Sequence, residues 1–239
     1  MLDDSKRYSD IEQNLKEVKE KLSEAAVKSG RNPEDIHLMA VSKTVESRYI
    51  NHAISCGIDL IGENKVQEFL LKEPELNLQN CKAHLIGHLQ SNKVKKIVGK
   101  VDVIQSVDSI SLAEEIAKRS LEKGIVSKIL LEINVGNEES KFGFDYNEAY
   151  ERVCEISEIE GLSIQGLMCV APICDDEKVL RHIFSNMYRS YLDIASKKIN
   201  NVNMNVLSMG MSGDYCEAVL EGANLVRVGS AIFGSRNYR

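Results

Sequence analysis

Residues 205–230 read NVLSMGMSGDYCEAVLEGANLVRVGS. An apolar run, NVLSMG (205–210), passes through a loop of serine and glycine into a helical stretch, DYCEAVLEG (214–222). A second apolar run, LVRVGS (225–230), follows almost at once. Runs that are nearly continuously apolar and joined by helices are expected of parallel strands buried on both faces. The alternation repeats upstream in HLMAVSK (37–43), DLIGE (59–63), HLIGH (84–88), DVIQSV (102–107), KILLEINV (128–135) and SIQGLMCVA (163–171). Helical patterns lie between them, as in 111–124, 147–159 and 176–198. An open doubly wound sheet usually has fewer strands; eight such units in 239 residues fit a single (β/α)8 TIM barrel. Only nine residues follow Ser230, too few for a full closing helix. Residues 8–29 place Ile11, Leu15, Val18, Leu22 and Ala25 or Ala26 at helical spacing, with Gly30 and Pro33 as the stop. The expectation is one domain over 1–239, with an N-terminal helix within 1–30 packed on the barrel.

Composition narrows the function. Apolar residues make up 43% of the chain, enough for a sizeable core. No apolar stretch approaches the ~20 residues of a membrane span. MLDDSKRYSD at the N-terminus has no apolar signal region, so a cytoplasmic protein is expected. Thirty basic against thirty-six acidic side chains give a net charge of −6, which is not a nucleic-acid footprint. Lys93, Lys95, Lys96 and Lys100 are read as a solvated helix face beside Val94 and Ile97. The six cysteines form no C-x-x-C pair and are expected as reduced thiols. Cys169 and Cys174, beside Pro172, are read as buried cysteines in preference to a redox pair. His84 and His88 straddle a strand end and a glycine and lack a third ligand, so no metal is expected.

In a barrel the chemistry sits at the C-terminal ends of the strands. The first run ends in Ser42, Lys43 and Thr44. A strand-end lysine has either reached solvent or sits in a semi-apolar mouth, where a partly neutral amine can form a Schiff base. After the seventh run, Gly210, Ser212, Gly213 and Asp214 precede a helix, as an ordinary capped loop or an anion cradle. In the eighth run Arg227 lies within an apolar strand, which requires a carboxylate or a ligand acceptor. Gly229 and Ser230 add amides and a hydroxyl at its end. Barrels frequently bind phosphate after strands seven and eight, and closure makes strand eight the neighbour of strand one. A lysine, an arginine and a phosphate cradle in one mouth describe a pocket for pyridoxal 5′-phosphate (PLP).

The chain also resembles the pyridoxal phosphate homeostasis proteins, the YggS/PROSC family. The resemblance runs from about residue 8 to Arg239. It rests on AVSKT (40–44), IGENKVQE (61–68), HLIGHLQSNK (84–93), QSVDS (105–109), NVGNEESKFGF (134–144), GLMC (166–169), LSMGMSGD (207–214) and VRVGSAIFG (226–234). It implies the fold-type III barrel of the alanine racemase N-terminal domain. It also implies Lys43 as the lysine of the internal aldimine, Arg227 facing the ring nitrogen, and Gly229, Ser230, Ser212 and Ser208 on the phosphate. Asn64 and Met209 are implied to line the ring. Two positions depart from the family pattern: Ala83 replaces a tryptophan before HLIG, and Val45-Glu46 replaces a segment that often carries proline.

Such proteins store, release or deliver the cofactor, so PLP-dependent apo-enzymes are candidate partners, and a monomer is expected. The alternative is a racemase-like enzyme. Two-base racemisation needs an acid–base group on each face of the cofactor. Lys43 serves one face, and Tyr215 and Tyr49 are the candidates for the other. Racemases of this fold add a C-terminal β-domain, and none is expected after Gly234. A cofactor-free, aldolase-like barrel would not account for the arginine inside the strand. Asn134, Glu138 and Lys141 are read as a solvated loop at the mouth.

Overall fold

The computed structural model describes residues 4–136, 142–172, 174 and 176–234. The main strands are β1 (His37–Val41), β2 (Leu60–Glu63), β3 (Lys82–Leu85), β4 (Val103–Val107), β5 (Ser127–Asn134), β7 (Leu162–Cys169), β8 (Val202–Met211) and β9 (Leu225–Val228). They pair in that order, all parallel, and β9 returns to β1, which closes a barrel. The eight apolar runs are these eight strands. A further two-residue strand, β6 (Phe144–Asp145), pairs with Ile133 and Asn134 of β5, beyond the point where β4 stops. Two residues carry no periodicity, so the sequence did not announce it.

Alternation along each strand sorts side chains into two layers. Met39, Leu60 and Leu225 form an inner cluster with Ile86 and Val206. Val103, Leu130 and Met168 form a second with Val170 and Val206. The opposite faces, including Ala40, Ile61, Leu85, Ile129, Leu167, Leu207 and Val226, belong to the large core under the helices. Burial on both sides is why the strands read as continuous apolar runs. Ala83 and Val45 both lie in that outer core, so the departures from the family pattern are packing differences outside the mouth.

The barrel is wrapped by α2 (Ser47–Ser55), α3 (Val66–Lys72), α4 (Ser91–Ile97), α5 (Ile110–Glu122), α6 (Ala149–Ser157), α7 (Glu177–Ser196) and α8 (Tyr215–Leu220). Val94 and Ile97 are the buried side of α4, which leaves its lysines on the outer face. Among the described residues, β9 is followed by one short turn, α9 (Ser230–Phe233). The long α1 (Asp4–Lys28) packs on α8, α9 and α2. It buries Ile11, Leu15, Val18, Leu22, Ala25 and Ala26, the stripe read from the sequence. Asn14 donates to the Ile232 carbonyl at 2.9 Å, and Arg31 donates to the carbonyls of Ala223, at 2.9 Å, and Val219.

Gly166 in β7 has φ +145°, and a Cβ there would sit 1.8 Å from the Val206 carbonyl oxygen of β8. Backbone contact of this kind cannot yield as a side chain would. Gly166→Ala should therefore lower unfolding stability by about 3 kcal/mol or more. Gly213, with nothing within 4 Å of its virtual Cβ, should accept alanine within about 0.5 kcal/mol. Denaturant midpoints of the two variants check this, and equal midpoints would contradict the β7–β8 contact.

Candidate functional site in the barrel mouth

Closure at β9 brings the separated motifs together. The β1–β9 register pairs Ala40 with Val228, so Val41 meets Gly229, and Lys43 and Ser230 follow on adjacent strand ends. The β8–β9 register pairs Met211 with Arg227, which sets Ser212 beside the same end. Ser212 Oγ accepts from the Gly229 amide at 3.1 Å and the Ala231 amide at 3.4 Å. The two amides thus converge on one serine oxygen where α9 begins, and an anion placed there could take that acceptor's place.

Lys43 is half-buried, and its two chain neighbours are clamped by charged groups outside the strand. Glu63, 1% exposed, accepts from Ser42 Oγ at 2.7 Å and from Lys72 Nζ at 2.8 Å. Lys72 also donates to the Ser42 carbonyl at 2.8 Å and to Glu68 at 2.7 Å. Glu68 in turn accepts from the Thr44 amide, and Thr44 sits at φ +64°, a strained conformation for a β-branched residue. Burial pushes the Glu63 carboxyl above its ordinary range, against the pull of Lys72 and Ser42. Burial also pushes on Glu68, but the bonds from Lys72 and Thr44 outweigh it and hold its pKa low. The IGENKVQEFLLK segment therefore holds the backbone on both sides of Lys43.

Arg227 is 4% exposed and points into the barrel. Its Nη1 donates to Ser208 Oγ at 2.6 Å and its Nη2 to the Cys169 carbonyl at 2.7 Å. Ser208 donates to Gln105 Oε1 at 2.7 Å, and Gln105 Nε2 lies 2.8 Å from His84 Nδ1. A buried polar chain thus crosses the interior from β9 to β3. Burial pushes the His84 pKa down to about 4, so the ring is neutral. Burial lowers the Arg227 pKa too, opposed by Cys169, Glu132 and Asp214, yet a guanidinium starts so high that it stays charged. Glu132, on β5, is pushed up to about 7 by burial and Asp108, against Arg227.

Asn64 follows β2, and its Oδ1 is buried without a hydrogen-bond partner. Its backbone is fixed by Gly87, where a Cβ would stand 2.4 Å from the Asn64 carbonyl oxygen. An orphaned buried acceptor beside the mouth lacks a donor that a ligand can supply.

Lys43, Asn64, Ser212, Arg227, Gly229 and Ser230 therefore gather at one end of the barrel. Two of the expected residues are engaged elsewhere. Ser208 was expected on the phosphate, but its hydroxyl is fully buried between Arg227 and Gln105, because position 208 faces the interior below the loop. Met209 was expected against the ring, but alternation turns its side chain into the outer core with Leu207 and Ala218. Tyr49 and Tyr215 also lie in that outer core, and Tyr49 donates to Asp4 at 2.6 Å, so neither is placed for the second face of a ligand. Asn134 ends β5, half-buried, whereas Glu138 and Lys141 lie outside the described residues.

Sequence reading missed Gln105 and Glu132, and weighed His84 only as a metal ligand, although all three are polar residues at interior positions of otherwise apolar strands. That was the same signal that drew attention to Arg227. It also missed the mouth pair His88–Asp108, at 2.8 Å, with the His88 ring stacked on Phe142 at 3.8 Å. His84 and His88 share no ligand site, since one is inside the barrel and the other on its rim. All six cysteines are free thiols, with Cys169 buried and Cys174 half-buried.

Comparison with known proteins bears on the chain as a whole. The family model for the alanine racemase N-terminal domain matches residues 8–237. The pyridoxal phosphate homeostasis protein of Aquifex aeolicus is 38% identical over 226 residues, 95% of this chain and 98% of that one. PipY of Synechococcus elongatus, solved with PLP bound, superposes with a TM-score of 0.81 at 32% identity, covering 94% of this chain and 100% of PipY. An alanine racemase of Clostridium difficile shares the fold at a TM-score of 0.73 and 13% identity, over 95% of this chain but 57% of the racemase. The chain therefore belongs to the alanine racemase N-terminal domain family and, within it, to the pyridoxal phosphate homeostasis proteins.

Proposed function

We propose that this chain binds PLP in the barrel mouth and serves intracellular PLP homeostasis, holding and releasing the cofactor without turning over a substrate. The observation that carries the reading is the β1–β9–β8 register, which brings together the strand ends that carry Lys43, Ser212 and Gly229. PLP supplies an aldehyde that condenses with an amine. Lys43 offers that amine, its backbone braced by the Glu63–Lys72–Glu68 cluster. The amides of Gly229 and Ala231, with the hydroxyls of Ser212 and Ser230, hold the phosphate, and Asn64 accepts a hydrogen bond from the ring substituents. Arg227 supplies a permanent positive charge facing the ring nitrogen. A guanidinium there disfavours protonation of a pyridine nitrogen, which weakens the electron sink that transaminases and decarboxylases need. The relatives' names favour a homeostasis role over catalysis. Delivery to PLP-dependent apo-enzymes, a monomeric state and a cytoplasmic location complete the proposal.

Borohydride reduction of the PLP-loaded protein should fix the cofactor on the peptide containing Lys43. Lys43→Ala should abolish the fixed adduct while leaving weaker, reversible binding. An adduct mapped only to another lysine would overturn the assignment.

Charge-assisted bonds to the phosphate are worth ~1.5–3 kcal/mol each, so pyridoxal should bind far more weakly than PLP. Ser230→Asp should lower PLP occupancy by repulsion without unfolding the barrel. Equal equilibrium affinities for pyridoxal and PLP would place the phosphate elsewhere. Incubation with L-amino acids in deuterated water should give little α-proton exchange. Exchange at ~1 per second or faster would favour a racemase instead.

A further inference from the structure

Away from the mouth, α1 and α2 bring together three side chains that the cofactor reading does not use. His52 lies in the last turn of α2, and Cys56 follows at its C-cap, four positions on, so both face the same side. Glu12 reaches them from α1. His52 Nε2 is 3.0 Å from Glu12 Oε1 and 3.8 Å from Cys56 Sγ. All three ligand atoms lie within 4.8 Å of one another.

These separations can be compared with a metal's needs. Tetrahedral zinc, with bonds of about 2.05 Å to nitrogen, 2.0 Å to oxygen and 2.3 Å to sulfur, sets N···O near about 3.3 Å and N···S near about 3.6 Å. The observed distances depart from these by about 0.3 and 0.2 Å, so a side-chain shift of a few tenths of an ångström would seat an ion. A thiol, an imidazole and a carboxylate form the mixed donor set that a borderline divalent ion prefers. The surroundings fix two of the three. Tyr8 lies against the His52 ring, with centroids 4.6 Å apart. Lys19 donates to the carbonyls of Cys56 at 3.3 Å and Gly57 at 3.4 Å, which holds the turn from which the thiol projects. Glu12 is exposed and His52 and Cys56 are half-buried, so an ion can enter from solvent and keep water in its fourth position.

We propose that Glu12, His52 and Cys56 form a zinc-type divalent metal site that ties α1 to α2. The sequence hides it because Glu12 and His52 are separated by 40 positions, and His52–Cys56 alone is an unremarkable helical spacing. The occupied site fastens the helix that backs α8 and α9 against the first barrel helix.

The full-length protein is stripped with a chelator, and alkylation of each cysteine by iodoacetamide is followed by peptide mass spectrometry with and without Zn2+. Zinc should slow alkylation of Cys56 about tenfold or more and leave Cys154 and Cys174 unchanged. Zinc at about 100 times its Kd should also raise the folding equilibrium constant about 100-fold. His52→Ala and Glu12→Ala, both on the surface side of the helices, should fold as the parent does by circular dichroism and lose both effects. Equal Cys56 alkylation rates with and without zinc would overturn the site. So would protection that survives in either folded variant.

Discussion

The structure depends on burying one guanidinium at the seam of a barrel. β9 closes the barrel between β1 and β8, and Arg227 fills its interior position there at 4% exposure. A charge so placed needs partners, because removing it from water is expensive. Ser208 and the Cys169 carbonyl supply them from β8 and β7, with Glu132 facing from β5. The polar chain through Gln105 to His84 then completes the hydrogen bonding that Ser208 begins. One interior charge thereby fixes the choice of residues on several strands.

The same seam arranges the mouth above it. The register that seats Arg227 also sets the ends of β1, β8 and β9 level, so Lys43, Ser212 and Gly229 meet without any long loop. The helices contribute rigidity where the strands end. Lys72 of α3 bridges Glu63 and Glu68 and so braces residues 42 and 44, while α1 packs on α8 and α9 and supports them. Removing Lys72 would leave two carboxylates facing each other with only Ser42 and Thr44 to satisfy them, a loss of the size seen when buried pairs are broken, about 3–5 kcal/mol.

Much of this was legible in the sequence. The eight apolar runs, the stripe from Ile11 to Ala26 and the lysine and arginine at their strand positions gave the barrel and its seam, because burial on two faces leaves a one-dimensional trace. Ser208 and Met209 part for a geometric reason. They are adjacent in the LSMGMSGD motif, and only the phase of the strand decides that one faces Arg227 and the other the outer helices. Hydrogen-bond partners far apart in the chain, such as Gln105 with Ser208, leave no local pattern at all.

The most direct test is a crystal structure of the protein grown with PLP. The account requires continuous density from Lys43 Nζ to the cofactor, a phosphate seated on the amides of Gly229 and Ala231 and the hydroxyls of Ser212 and Ser230, and Arg227 facing the ring nitrogen. A cofactor bound outside the β1–β9–β8 mouth, or one joined to a different lysine, would contradict it.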